Sequence, residues 1–261
     1  MKKIRIALLC ALASATVAQA QFTHYGLRAA LGASYVSDDL LTHRPVIGAN
    51  MGVFFNFGFT GAKVSFADNL YLQTGISLVR RGTYFKQELA AMGSIRNGFY
   101  HTYYAQVPIL AAWRWEIPAK VASQYLNFYF GPAVSVGLFG RIWDRRITPG
   151  YPQASMNYDT YITGTKDDRA AFRHLRRIDA SSIVGVGYQH GSFLFDLFWD
   201  HGFVALRNEE DVLNTLERNS DASKPAQDGT SAEKPKKRNS YTGTNNSLLL
   251  SVSYLLPLST R

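Results

Sequence analysis

The chain has 261 residues, of which 46% are apolar, 13% aromatic and 18% charged, which excludes a disordered or low-complexity polymer and leaves enough apolar material for a large folded domain. No apolar run approaches the roughly 18 to 20 residues that a spanning helix requires. The formal net charge of +9 falls to +6 once Lys2, Lys3 and Arg5 are set aside with a cleaved leader, a surplus too mild to imply nucleic acid.

Residues 1–20 have the layout of a secretory signal peptide. A positive start (Lys2, Lys3, Arg5) precedes a short apolar core at 6–17 and the small-x-small step Ala18-Gln19-Ala20. The expected mature domain is therefore 21–261. The single cysteine, Cys10, lies inside the leader, so the mature chain is expected to use neither disulfides nor thiol chemistry.

From Tyr25 onward apolar residues recur at every second position, the period of a strand with two different faces. The first predicted strand sets Tyr25, Leu27, Leu31 and Tyr35 against Gly26, Arg28, Gly32 and Ser34. The second sets Ile47, Met51, Val53, Phe55 and Phe57 against Gly48, Asn50, Gly52 and Asn56. The third covers 70–79, with Leu72, Ile76 and Leu78 against Tyr71, Gln73 and Ser77. The fourth covers 103–115 and the fifth 126–138, the latter with Phe128, Phe130, Val134 and Leu138 against Asn127, Tyr129 and Ser135. The sixth covers 178–189, the seventh 193–200 and the eighth 248–256. Each is near the roughly 9 to 11 residues that a tilted strand needs to cross a bilayer.

The faces indicate the solvent. A soluble sandwich would carry Lys, Glu and Thr opposite its large residues. Here that face is mostly Gly, Ala, Ser and Asn with scattered charges, which suits a narrow lumen. The apolar face is almost free of charge and begins or ends on aromatics such as Tyr25, Tyr35, Trp113, Trp115, Tyr188, Trp199 and Tyr254, as interfacial girdles would. Lipid offers the backbone no hydrogen bonds, so such strands must close on themselves. The expected fold is an eight-stranded antiparallel up-and-down transmembrane β-barrel. Short joins at 60–69, 116–123 and 190–192 are expected on the periplasmic side. A short first loop at 37–45 and long loops at 83–102, 141–177 and 207–246 are expected outside, with mobile segments in the last two.

The steps Tyr25-Gly26-Leu27-Arg28, Leu70-Tyr71-Leu72-Gln73-Thr74-Gly75-Ile76, Tyr104-Ala105-Gln106-Val107-Pro108-Ile109-Leu110, Gly131-Pro132-Ala133 and Gly185-Val186-Gly187-Tyr188 resemble those of the PorT-type outer-membrane β-barrel family, frequent in Bacteroidota. Gln106 stands where that family usually has an acid before the apolar-proline step, and Phe198 where it has an arginine. The chain also continues past Tyr254 to Arg261, whereas such barrels commonly end on an aromatic. The resemblance implies Sec export, an outer-membrane location and partnership with envelope or secretion machinery.

No enzyme constellation stands out, and neither a metal nor a cofactor is expected. Asp200 and His201 are adjacent, but neighbouring strand side chains point to opposite faces and cannot share a proton directly. Arg28, Arg114, Asp196 and Asp200 are expected in the lumen, with the arginines paired to the acids as a plug, because unpaired charge there is costly. The 141–177 loop holds eight basic and four acidic residues. Its pairs Arg145-Arg146 and Arg176-Arg177 form a candidate surface for anionic lipopolysaccharide or an acidic partner. The expected role is a monomeric structural or binding component of the outer membrane; a small-solute pore and a membrane-embedded hydrolase are the alternatives. Lys236-Lys237-Arg238 lacks base-stacking aromatics, so nucleic acid is not an expected partner.

Overall fold

The computed structural model describes residues 20–37, 42–59, 69–89, 94–118, 124–159, 177–204 and 243–257. The expected leader, except its last residue, and most of the 207–246 loop lie outside these. The described residues form β1 (Ala20–Ser37), β2 (Thr42–Arg44), β3 (Val46–Phe59), β4 (Leu70–Leu89), β5 (Ser94–Ile117), β6 (Gln124–Ile147), β7 (Ala154–Asp159), β8 (Ile178–His190), β9 (Phe193–Gly202) and β10 (Thr244–Pro257). No helix among them is long and apolar enough to cross a membrane.

Eight long strands close a ring in the order β1, β3, β4, β5, β6, β8, β9, β10, and each pairs antiparallel with its neighbours. The closing pair is β1 with β10, in register from His24↔Pro257 to Ser37↔Thr244. Every backbone ladder thus has a partner strand, the condition that a bilayer interior imposes. One rim carries the ends of β1 and β10 and the tight joins; it is called the lower rim. Its β8–β9 hairpin turns through Gly191 and Ser192. Gly191 has φ of 57° and no described non-glycine residue has positive φ, which matches a type II′ turn with glycine at the first loop position.

The alternation read in the sequence is the alternation seen in space. Leu31, Phe130 and Leu250 point outward and are 65%, 65% and 64% exposed, whereas Ser135 and Ser251 are fully buried. The face read as apolar therefore lies outside the ring, and the inner face combines small polar residues with large side chains such as Phe54, Tyr71, Tyr104, Tyr129 and Phe198. Tyr25, Trp115, Tyr188, Phe193 and Tyr254 ring the lower part of the outer surface, and Tyr35, Phe99, Phe139 and Trp199 the upper part.

Three expectations about strand ends are corrected. Residues 83–102, expected as a loop, are strand up to Leu89 and again from Ser94, paired from Thr83↔Tyr100 to Leu89↔Ser94. The start of 141–177, also expected as loop, continues β6 to Ile147 and folds back as β7, paired from Arg141↔Asp159 to Arg146↔Ala154. At its upper end the 207–246 loop gives way to β10 at Thr244. The reason is physical. Beyond the hydrocarbon both faces of a sheet meet polar surroundings, so the apolar period fades while backbone pairing continues. At about 3.3 Å per residue, the 24-residue β5 and β6 are about 80 Å long, well beyond the 9 to 11 residues that span lipid. Above the barrel they form a projecting sheet in the order β2, β4, β5, β6, β7.

Two local irregularities set side-chain directions. Pro108, which has no N–H, coincides with a gap in the β4–β5 ladder between Thr74↔Ile109 and Ser77↔Gln106, and the Thr74 hydroxyl donates to the Pro108 carbonyl at 2.7 Å. In β6 the register slips between Tyr103↔Phe139 and Tyr104↔Gly137, leaving Leu138 as an extra residue. Both Leu138 and Phe139 are then exposed, and the phase above them is inverted, which turns Arg141 outward.

Candidate functional site

The lumen contains two charged layers. In the lower one, Arg28 on β1 donates from Nη2 to Gln73 Oε1 at 3.0 Å and to Asp196 Oδ2 at 3.5 Å, and from Nε to Ser253 Oγ at 3.2 Å. Ser251 donates to the same Asp196 oxygen at 3.0 Å, and Gln73 passes the network on to Asn56 at 3.0 Å. The Arg28 guanidinium also lies between two rings, 4.7 Å from the Phe54 centroid and 4.5 Å from that of Phe198. Gly187 makes room for the acid: a Cβ there would collide with Asp196 Oδ1. Gly187→Ala should therefore push the carboxylate off Arg28 and cost about 1–3 kcal/mol, read as a lower urea midpoint for the detergent-folded barrel.

The upper layer is more tightly bound. Arg81 is buried and reaches two acids, Asp179 at 2.7 Å through Nη1 and Asp200 at 2.5 Å through Nη2. Gln106 donates to Asp200 and Asn245 to Asp179, each at 3.0 Å, while Tyr104 presents its ring 5.3 Å from the Arg81 guanidinium carbon. One cation and two carboxylates on β4, β8 and β9 are thus tied together across the interior. Between the layers lies a recess of about 40 Å³ beside Arg28, Ser77 and Asp200, room for a few water molecules.

The sequence-predicted lumen residues are only partly brought together. Arg28 meets Asp196, and Asp200 meets an arginine, but that arginine is Arg81. Arg114 has no carboxylate partner among the described residues, which corrects the expectation that it pairs with Asp196 or Asp200. It lies against the Tyr71 and Tyr125 rings at 5.1 and 4.8 Å. The cause is the aromatic column above it. Tyr71 packs edge-on to Tyr129 at 6.5 Å, and Tyr129 against Phe198 at 5.4 Å, so ring faces rather than acids are within reach of this guanidinium.

Sequence reading missed Arg81 and gave Asp179 no role. The signal was present: continuing Tyr71, Gln73, Gly75, Ser77 and Val79 by two positions puts Arg81 on the inner face. Asp200 and His201 do point apart; Asp200 is held by Arg81, and His201 Nδ1 lies 2.5 Å from Asn246 Oδ1. Among the described residues no group of three His, Cys, Asp or Glu side chains could hold a metal ion.

The described loop arginines, Arg145, Arg146 and Arg177, do not share one face. Arg145 and Arg146 are consecutive on β6 and so face opposite sides of the projecting sheet, with Arg145 hydrogen-bonded to Gln153. Arg177 stands at the upper end of β8, where its carbonyl accepts the Gly137 N–H at 2.6 Å. Arg176 lies outside the described residues.

A closed antiparallel ring with an apolar exterior, aromatic girdles and a polar, ion-paired interior defines an integral β-barrel of the bacterial outer membrane. The chain belongs to the family described as outer membrane protein beta-barrel domain, whose model matches residues 17–206. Solved structures similar to it include two at low identity. One is Ail, the attachment invasion locus protein of Yersinia pestis, in complex with the heparin analogue sucrose octasulfate. It has 10% identity and a TM-score of 0.34, covering 90% of this chain and 100% of that one. The other is Neisserial surface protein A, with 10% identity and a TM-score of 0.38, covering 88% and 96%. No curated protein matches the chain at a significant level.

Proposed function

We propose that this barrel is a non-conducting, non-catalytic membrane anchor whose working surface is the sheet and loops above the upper rim. The observation that carries the reading is the upper charged layer. Arg81, Asp179, Asp200, Gln106 and Asn245 cross-link strands on different sides of the ring, and opening a channel would strip a buried cation from two acids. Tyr71, Tyr104 and Tyr129 occupy the lumen as well. The projecting sheet, with Arg145 and Arg146 on its two faces, offers partners an extended surface outside the lipid. The PorT-type resemblance of the strand motifs favours a partner in envelope or secretion machinery. The cleaved leader at 1–20 and a monomeric state belong to the same reading.

Solute flux is the test. Proteoliposomes carrying the full chain should swell in isotonic arabinose no faster than protein-free vesicles. Rapid swelling by the wild-type protein would establish a small-solute pore instead.

A further inference from the structure

The outer surface carries basic residues where a lipid-facing barrel ordinarily avoids them. Arg80 follows Ile76 and Leu78 on the outer face of β4, and its in-register neighbours are Ala49 on one side and Tyr103 on the other, neither an acid. Its Nε is buried with no hydrogen-bond partner among the described residues. His101, two positions along from Tyr103 on the same face of β5, is directly opposite Arg141, within electrostatic reach of both Arg80 and Arg141. His101 Nδ1 is likewise buried and unpartnered among the described residues. The acid in register with this group is Asp159, opposite Arg141 on β7; no acid is in register with Arg80 on either neighbouring strand. Arg141 points outward only because Leu138 is inserted as a bulge below it, and it shares a shallow groove with Tyr103, Phe139 and Arg177.

A second feature adjoins the first. Arg80 and Tyr103 close the upper end of an apolar trough on the barrel wall, floored by the small residues Ala29 and Ala49 and flanked by Leu31, Met51, Leu78 and Leu250. Tyr103 lines both hollows, so cation cluster and trough are continuous. Charge exposed to lipid is unfavourable unless an anion answers it, and neighbouring like charges repel. At the upper rim the anions available from the membrane itself are phosphate groups on acylated lipids.

We infer that this surface is a specific site for a phosphorylated, acylated glycolipid of the outer leaflet. Arg80 and Arg141 bind its phosphate beside His101, and the Ala29–Ala49 trough takes one of its acyl chains. The site depends on the outer-membrane location and is independent of whether the lumen conducts.

Native mass spectrometry of the purified full chain in detergent tests this with three probes: lipid A carrying its phosphates, the dephosphorylated form, and phosphatidylethanolamine. The phosphorylated form should be retained at least about tenfold better than either of the others. Excess inorganic phosphate should not displace it, because the trough holds the acyl chain. Arg80→Gln with Arg141→Gln should abolish the preference. Ala29→Leu with Ala49→Leu, which fills the trough without changing charge, should weaken retention of all lipids. Boiled and unboiled gel lanes report whether each variant is folded, and the wild-type comparison decides the matter if one is not. Equal retention of phosphorylated and dephosphorylated lipid A by the wild-type protein would overturn the site. Displacement by inorganic phosphate alone would reduce it to a bare anion contact and overturn the lipid assignment.

Discussion

Arg81→Met should cost the folded barrel about 3–5 kcal/mol, because it leaves Asp179 and Asp200 buried in the lumen without their cation. The measurement is urea unfolding in detergent micelles followed by tryptophan fluorescence and by the gel shift between folded and heated protein. Combining Arg81→Met with Asp179→Asn and Asp200→Asn should recover most of the loss. The amides still hydrogen-bond to Gln106 and Asn245, and no charge remains to be solvated. The recovery is the informative part, since it separates the penalty of an orphaned acid from the loss of side-chain volume. A triple variant as unstable as Arg81→Met alone would show that packing around Tyr104, rather than charge, dominates the layer.

The second large effect is expected on the outer wall. Ile109 is exposed on β5 midway between Trp115 of the lower aromatic belt and Tyr103, which stacks on Phe139 of the upper belt, and this position places it near the bilayer midplane. Ile109→Arg should destabilise the barrel in liposomes by about 2–4 kcal/mol, whereas Trp115→Arg, at the lower belt, should cost only about 0–1 from charge. In detergent micelles, whose interior is thinner and wetter, the gap between the two should shrink. Equal penalties at both depths in a bilayer would contradict the placement of the belts.

How much of this could be read beforehand depended on which solvent each face meets. Within the hydrocarbon the contrast between Leu31, Phe130 and Leu250 outside and Ser135 and Ser251 inside is absolute, so the eight strands and the sense of the barrel were legible from the period alone. Above the lipid that contrast fades: the paired stretches 83–89 and 94–102 contain Tyr84, Lys86, Arg96 and His101 and read as loop. Phase was the second obstacle. An extra residue at Leu138 reverses which side Arg141 faces, and no composition rule marks a bulge of this kind. The lumen charges show the same limit. Arg28, Asp196 and Asp200 followed from alternation, but Arg81 required carrying the period past Val79, through two consecutive arginines. Arg114 could not be assigned a partner from charge alone, because its guanidinium lies against the ring faces of Tyr71 and Tyr125 rather than beside an acid.

The β1–β10 junction bears on how the molecule is made. Arg28 and Ser253 touch across it although 225 residues separate them along the chain, while the other seams join strands that are consecutive in the ring's sequence order. Hairpins can zip up locally and early, but this last seam has to wait for the entire polypeptide and carries the largest loop-closure entropy. Until it forms, two unpaired edges stay open, so the slow step of biogenesis should be circularisation, and chaperoned insertion should act there.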